Sequence, residues 1–206
     1  MWTNKNKPAF GPLHGLKVVH ATQSVAGPFG PQLLAEYGAD VLWLENPMIP
    51  DVTRFSPGYS IDGERRNMRN LALNIPSEQG REILAKLLAD ADVFVESYKG
   101  GQMDRWGLTD EVLWSYNPKL VICHVSGFGQ SGVQEYVERP SYDMIAQAFS
   151  GYTWGDGTPD EVFPTGPYAA DYMTAMFATT AILAALYAVP RTGKGESIDV
   201  AQFEAM

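Results

Sequence analysis

The chain has 206 residues, 45% of them hydrophobic, and a formal net charge of −9. That size and apolar content can bury the core of one domain, and the acidic balance argues against nucleic acid as a partner, because phosphate backbones call for a basic face. A single cysteine, Cys123, excludes an internal disulfide and a thiolate metal cluster, fits a cytoplasmic setting, and reads as a small core residue on a strand.

The opening stretch MWTNKNKPAFGP has no apolar run after its lysines and reads as neither signal peptide nor anchor. Leu16 to Thr22 (LKVVHAT) is an apolar, β-branched run expected to be a strand. A loop with Ala26, Gly27, Pro28, Gly30 and Pro31 follows, then Gln32 to Tyr37 as a helix closing at Gly38. Val41 to Glu45 is the next strand, so the unit is βαβ and the sheet parallel. Asn46 to Asn70 is polar and punctuated by proline and glycine, and is expected to be a long loop. Ser77 to Asp90 is an amphipathic helix with Ser77 placed to cap it. Asp92 to Glu96 is a third strand, Thr109 to Tyr116 a short helix and Leu120 to Val125 a fourth strand, an alternation that sets the class as α/β. Towards the end, Glu196 to Val200 reads as a strand, and Ala201 to Met206 as the first turns of a helix.

Between these lies a run without charge from Tyr172 to Pro190, rich in alanine, leucine and methionine, preceded by Pro167 and Asp171. It predicts a core helix with Pro167 in its first turn and Asp171 near the N-terminal end, where amide dipoles favour an ionised carboxylate. The run is apolar enough to raise a membrane span, but Thr174, Thr179 and Thr180 and the surrounding pattern fit a core helix better. An ordinary role for Asp171 would be that of a first-turn acid.

Other candidates carry less. Gly127 to Gly132 matches the dinucleotide pattern GxGxxG, but only seven or so residues separate it from Pro140, too few for the helix that the pattern requires. His14, His20 and His124 show no metal-ligand spacing and read as core or loop residues; no metal site is expected. Arg54, Arg65, Arg66 and Arg69 gather in the long loop, and Lys99 and Arg105 follow the third strand. At the carboxyl ends of parallel strands such groups suit a phosphate-bearing ligand, solvated surface charge being the alternative.

Taken together, VVHATQSVAGPFGPQLLAEYGADVLWLEN, EQGREILAKLLADADVFVES, YKGGQMDRWGLT, YDMIAQAFSG, PYAADY and TGKGESIDVAQFEAM resemble the family III CoA-transferases, in that family's order. The resemblance runs from Phe10 onward and covers about the first half of a family member. It implies a Rossmann-like parallel sheet with flanking helices, residues 1–206 forming the N-terminal part of the large domain without the small domain, and, for a chain of this extent alone, inactivity. It puts the family's nucleophilic aspartate on Asp171 and its CoA contacts on Gln23, Ser24, Val25, Ala26, Leu73, Ser97, Tyr98, Lys99 and Arg105. Asn46 and Ser126 stand where some relatives carry arginine and lysine. CoA would be a cosubstrate, with no permanently bound cofactor, and the full-length enzyme an interlocked homodimer.

Within the family, TDEVLWSYNPKLVICHVSGFGQSG and IAQAFSGY most resemble members that move CoA between crotonobetaine or γ-butyrobetaine and carnitine. The implied partners are acyl-CoA and carnitine-like acids. A formyl-CoA:oxalate transferase is an alternative. An acyl-CoA racemase is a further one, although Tyr142 stands where racemase relatives place a histidine.

Overall fold

The protein is described by a computed structural model over residues 9–56, 61–158 and 160–206. In chain order the elements are β1 (Lys17–Ala21), α1 (Ala26–Glu36), β2 (Asp40–Glu45), α2 (Ile61–Arg65), β3 (Arg69–Ala72), α3 (Glu78–Leu88), β4 (Val93–Glu96), α4 (Gln102–Arg105), α5 (Asp110–Tyr116) and β5 (Val121–Ser126). There follow α6 (Gln134–Val137), α7 (Asp143–Phe149), α8 (Tyr152–Asp156), the long α9 (Ala169–Thr192) and β6 (Ser197–Ala201). All pairings are parallel, in the order β3-β2-β1-β4-β5-β6, so the expected α/β class holds.

Alternation along the strands builds two cores. Val19, Leu42, Phe94 and Ile122 point to one face and pack with Leu84 and Leu88 of α3, Met103 of α4 and Leu113 of α5. Val18, Val41, Val93, Val95, Val121 and Cys123 point to the other and meet Leu34 of α1 and Ala178 and Ile182 of α9. Strands covered on both faces are apolar throughout, which is why VLWL, VFVE and VICHV are legible as strands.

Several boundaries differ from expectation. Helix α1 begins at Ala26 and runs through Pro31 instead of starting at Gln32. Pro28 sits in its first turn, where a missing N–H costs nothing, and the glycines let the helix approach its neighbours. A Cβ on Gly30 would lie 3.1 Å from Thr179 Oγ1 of α9. The expected loop Asn46 to Asn70 contains a 3-10 turn at Val52–Phe55, helix α2 and the edge strand β3. Three of the four β3 residues are exposed, so the strand has no apolar alternation to reveal it. Residues 57–60 of that stretch lie outside the described residues. After β6, residues 202–205 form a turn, not a helix.

Helix α9 departs most from its expected burial. Pro167 precedes the helix, whose N-cap is Tyr168. One stripe is buried, including Ala170, Asp171, Thr174, Ala175, Ala178, Thr179, Ile182 and Ala185. Met173, Met176, Phe177 and Tyr187 are exposed. The buried stripe is made of small residues, and its hydroxyls are satisfied within the helix, Thr174 donating to Ala170 O and Thr179 to Ala175 O at 2.7 Å each. By length and composition α9 could cross a bilayer; here it lies in the helical layer against α1 and β5.

Candidate functional site

The strand order reverses between β1 and β4: the chain moves outward through β2 and β3 on one side and through β5 and β6 on the other. The loops leaving β1 and β4 therefore diverge and leave a crevice at the carboxyl ends, where open α/β sheets bind ligands. A cavity of about 420 Å³ occupies that place. Its wall includes Thr22, Gln23, Ser24 and Ala26 after β1, Ser97, Tyr98 and Lys99 after β4, and Asp171 and Gln202. Asn46 and Ser126 also line it.

Close packing shapes the crevice. A Cβ on Gly27 would come within 2.6 Å of Thr22 Cβ and 2.8 Å of Ser97 Cβ, so any side chain there pushes the two loops apart. Ser24 holds a left-handed backbone with φ 62°, its N–H donating to Asp51 Oδ2 at 2.9 Å. Such a conformation costs a non-glycine residue about 1–2 kcal/mol and persists because neighbours enforce it. We expect Gly27→Ala to leave the protein folded but to lower its stability by about 1–3 kcal/mol, by overpacking; denaturant titration measures this, and unchanged stability would show that the crevice tolerates the shift.

Three expected contact residues lie elsewhere. Val25 is the buried N-cap of α1 and Leu73 belongs to the core beneath. Arg105 is 3.6 Å from Glu138 and donates to Gly100 O and Gln102 Oε1. The loop arginines are likewise engaged within the chain: Arg54 with Glu45, Arg65 with Asp51, Arg66 with Glu36 and Arg69 with Asp40. Arg54 and Arg65 also stand over the Trp43 ring, at 5.1 and 4.5 Å from its centre. The clustering of arginines in the sequence thus marks internal ion pairs. Among the described residues, the basic side chains on the cavity wall are Lys99 and Arg139, and Arg139 had no sequence signal beyond its position shortly before Tyr142.

Asp171 sits in the first turn of α9, as expected, and is only 6% exposed. Its electrostatics differ from expectation. The backbone N–H groups of Ala170 and Asp171 donate to Asp143 Oδ1 at 2.8 and 3.3 Å, so a carboxylate from α7 takes the positive end of the helix. Gln147 donates to the other Asp143 oxygen at 2.6 Å. Burial pushes the Asp171 pKa up to about 7, Asp143 and Glu64 add to the rise, and a hydrogen bond from Gln202 Nε2 to Asp171 Oδ1 opposes it. Glu64 accepts from the Tyr172 hydroxyl at 2.9 Å, and the Tyr172 ring makes T-shaped contacts with Phe29 and Tyr168.

Cys123, His20 and His124 are each fixed by their surroundings. Cys123 is fully buried, and burial holds its thiol well above the ordinary range. His20 is also buried, held neutral by burial and by Arg65. His124 forms a separate cluster: Nδ1 meets Glu96 Oε1 at 2.6 Å and Nε2 meets Asp110 Oδ1 at 3.0 Å. Burial alone would lower its pKa, but these two carboxylates outweigh burial and push it up to about 10. Tyr142 stands exposed on the cavity wall. No group of three or more potential metal ligands occurs among the described residues.

A parallel sheet with a crevice at its switch point, on whose wall the buried carboxylate of Asp171 stands with the loops after β1 and β4, defines an α/β protein with a ligand-binding crevice. The chain matches the profile of CoA-transferase family III over residues 13–206 and belongs to that family. A CAIB/BAIF family protein from Brucella suis superposes with a TM-score of 0.84 and 37% identity, over 95% of this chain and 54% of that one. A hypothetical protein (Rv3272) from Mycobacterium tuberculosis gives a TM-score of 0.87 and 28% identity, over 96% and 57%. The chain spans about half the length of these two structures.

Proposed function

We propose that the full-length protein is a CoA transferase that moves CoA between a betaine-type acyl-CoA, crotonobetainyl or γ-butyrobetainyl, and carnitine, through covalent intermediates on Asp171. The observation that carries this reading is that the Asp171 carboxylate opens on the same cavity as Gln23, Ser24, Ala26, Ser97, Tyr98 and Lys99. Lys99 supplies a cationic group of the kind that CoA phosphates require, and Arg139, whose ion pair with Glu135 is solvent-exposed and so weakly held, supplies a second. Glu64 and Asp143, with the rings of Phe29, Tyr168 and Tyr172, gather negative charge and aromatic surface around the start of α9, next to the cavity wall on which Asp171 stands. Those surroundings favour a substrate bearing a quaternary ammonium over the oxalate dianion.

The chemistry balances without a cofactor. The Asp171 carboxylate attacks the thioester carbonyl; a C–O bond forms, the C–S bond breaks, and CoA leaves as thiolate from a mixed anhydride. The thiolate attacks the aspartyl carbon, forming an aspartyl-CoA thioester and releasing the first acid as its carboxylate. The acceptor carboxylate then reverses both steps. We assign this activity to a cytoplasmic homodimer with no resident cofactor, supported by the family likeness, the lone thiol and the exposed apolar side of α9.

The test incubates the full-length enzyme with γ-butyrobetainyl-CoA or crotonobetainyl-CoA plus carnitine, and separately with formyl-CoA plus oxalate, and separates the CoA esters by chromatography. The carnitine pairs should turn over at least about a hundredfold faster, since charge recognition of this kind discriminates strongly. Transfer to oxalate but not to carnitine would overturn the substrate assignment and leave the family intact.

A further inference from the structure

Asp171 needs a hydrogen-bond donor at its carboxyl group, because every attack on the aspartyl carbon places negative charge on a carboxyl oxygen. The backbone donors nearest to it at the start of α9 are engaged elsewhere: Ala170 N and Asp171 N both donate to Asp143 Oδ1, and Tyr172 N to Tyr168 O. Among the described residues, the side chain bonded to the Asp171 carboxylate is Gln202, whose Nε2 donates to Oδ1. Gln202 is only 4% exposed and shares the cavity wall with Asp171. It lies at the first position after β6, with its own N–H donating to Ser126 O at 2.8 Å, so a sheet-anchored backbone sets its direction. A buried amide held by strand and turn is preorganised in the sense that an oxyanion donor requires.

We propose that Gln202 is a second catalytic residue, which pins Oδ1 of Asp171, leaves Oδ2 to attack, and stabilises the oxyanion that forms on Oδ1. This inference rests on Asp171 being the nucleophile. The atoms give the two oxygens different fates. Oδ2 forms the new bond to the acyl carbon and becomes the bridging oxygen of the anhydride, while Oδ1 remains the aspartyl carbonyl. When thiolate attacks the aspartyl carbon, Oδ1 carries the charge and Oδ2 departs with the released acid. In the return half-reaction the acceptor carboxylate attacks the same carbon, charge again falls on Oδ1, and one acceptor oxygen takes the place of Oδ2. Gln202 therefore keeps the same hydrogen-bond acceptor through every attack on the aspartyl carbon, with no rearrangement. Oδ1 is never exchanged as long as the carboxylate is held against a flip.

That bookkeeping of oxygens gives a readout that a merely structural glutamine would not move. The full-length enzyme is turned over for a few cycles with acceptor carboxylate labelled in both positions with heavy oxygen, and the peptide holding Asp171 is weighed. The unmodified enzyme should gain one heavy oxygen and no second. Gln202→Leu, which keeps the volume and loses the donor, should gain two as its carboxylate flips between cycles. Its kcat should fall about a hundredfold, the usual effect of deleting one oxyanion donor, with KM for acyl-CoA little changed.

Uptake of two labels by the unmodified enzyme, or a Gln202→Leu kcat within about threefold of normal, would overturn the role of Gln202. Neither result touches the nucleophile assignment, which fails separately if no label and no hydroxylamine-trapped acyl group appear on Asp171 in the unmodified enzyme. The label count on the unmodified enzyme needs no variant and so stands even where Gln202→Leu fails to fold.

Discussion

Asp171→Asn should lose transfer by at least about a thousandfold while binding CoA within a few-fold of normal, because the amide keeps the shape and loses the anionic nucleophile. The residues that line the crevice after β1 and β4 are untouched by the change. Hydroxylamine added after acyl-CoA should leave a hydroxamate on the peptide containing Asp171 in the unmodified enzyme and none in the variant. Substantial turnover by Asp171→Asn would refute the assignment.

The raised pKa adds two pH dependences with definite signs. The attacking form is the carboxylate, so with a pKa of about 7 the rate should fall about tenfold per pH unit below neutrality and level off above it. Stability moves the other way. The folded state holds the Asp171 proton more tightly than the unfolded chain does, so stability falls as pH rises from about 4 to about 7, the full cost being present above that. Asparagine carries no such cost. Asp171→Asn should therefore be more stable than the unmodified protein at pH 8, by on the order of 4 kcal/mol, with little difference at pH 4. Denaturant titrations at the two pH values measure it, and equal stability at pH 8 would contradict the picture of a buried acid kept under electrostatic strain.

His124→Leu should destabilise the protein by about 3–5 kcal/mol, since it leaves Glu96 buried without its cation. Glu96 is 1% exposed, and its second oxygen accepts from Tyr98 N at 2.6 Å, so the cluster also anchors the segment that lines the crevice. CoA affinity should fall together with stability. The double variant Glu96→Leu/His124→Leu should recover much of the stability and none of the affinity, because two apolar groups can replace a buried pair but cannot hold the Tyr98 amide.

The pH signature follows from the raised histidine pKa. The folded value of about 10 exceeds the unfolded one of 6.5, so the stabilisation is complete below about pH 6.5 and is lost as pH rises towards 10. Unfolding free energies of the unmodified and single-variant proteins should converge across that window. A constant difference would mean that His124 is neutral in the fold.

Much of this was legible in the sequence because apolar strands covered on both faces announce themselves. VLWL, VFVE and VICHV have no other sensible home, and Ser77 caps α3 as its position suggests, accepting from Gly80 N. The position of Asp171 was equally legible, at the start of a long uncharged run. What could not be read was how carboxylates from distant elements meet. Asp143 lies 28 residues from Asp171 and looks like an ordinary first-turn acid of α7, yet it takes the amides of α9 and so reverses the expected effect of the helix end.

Charge counting misled for a related reason. An arginine-rich loop suggests an anion site until each guanidinium is found against a carboxylate from another part of the chain. Strand β3 escaped because an exposed edge strand needs no apolar pattern.

The contacts that set the nucleophile all span long stretches of chain: Asp143 and Gln202 reach Asp171 across 28 and 31 residues, and Glu64 reaches Tyr172 across 108. Contacts of that separation form late in folding, after loop-closure entropy has been overcome. A nascent or half-collapsed chain thus carries Asp171 as an ordinary solvated acid, ionised at neutral pH but without a donor beside it. On the proposed mechanism, reactivity toward thioesters would arrive only once α7, α9 and the turn after β6 have come together, so an incompletely folded chain should not acylate itself on the acyl-CoA around it.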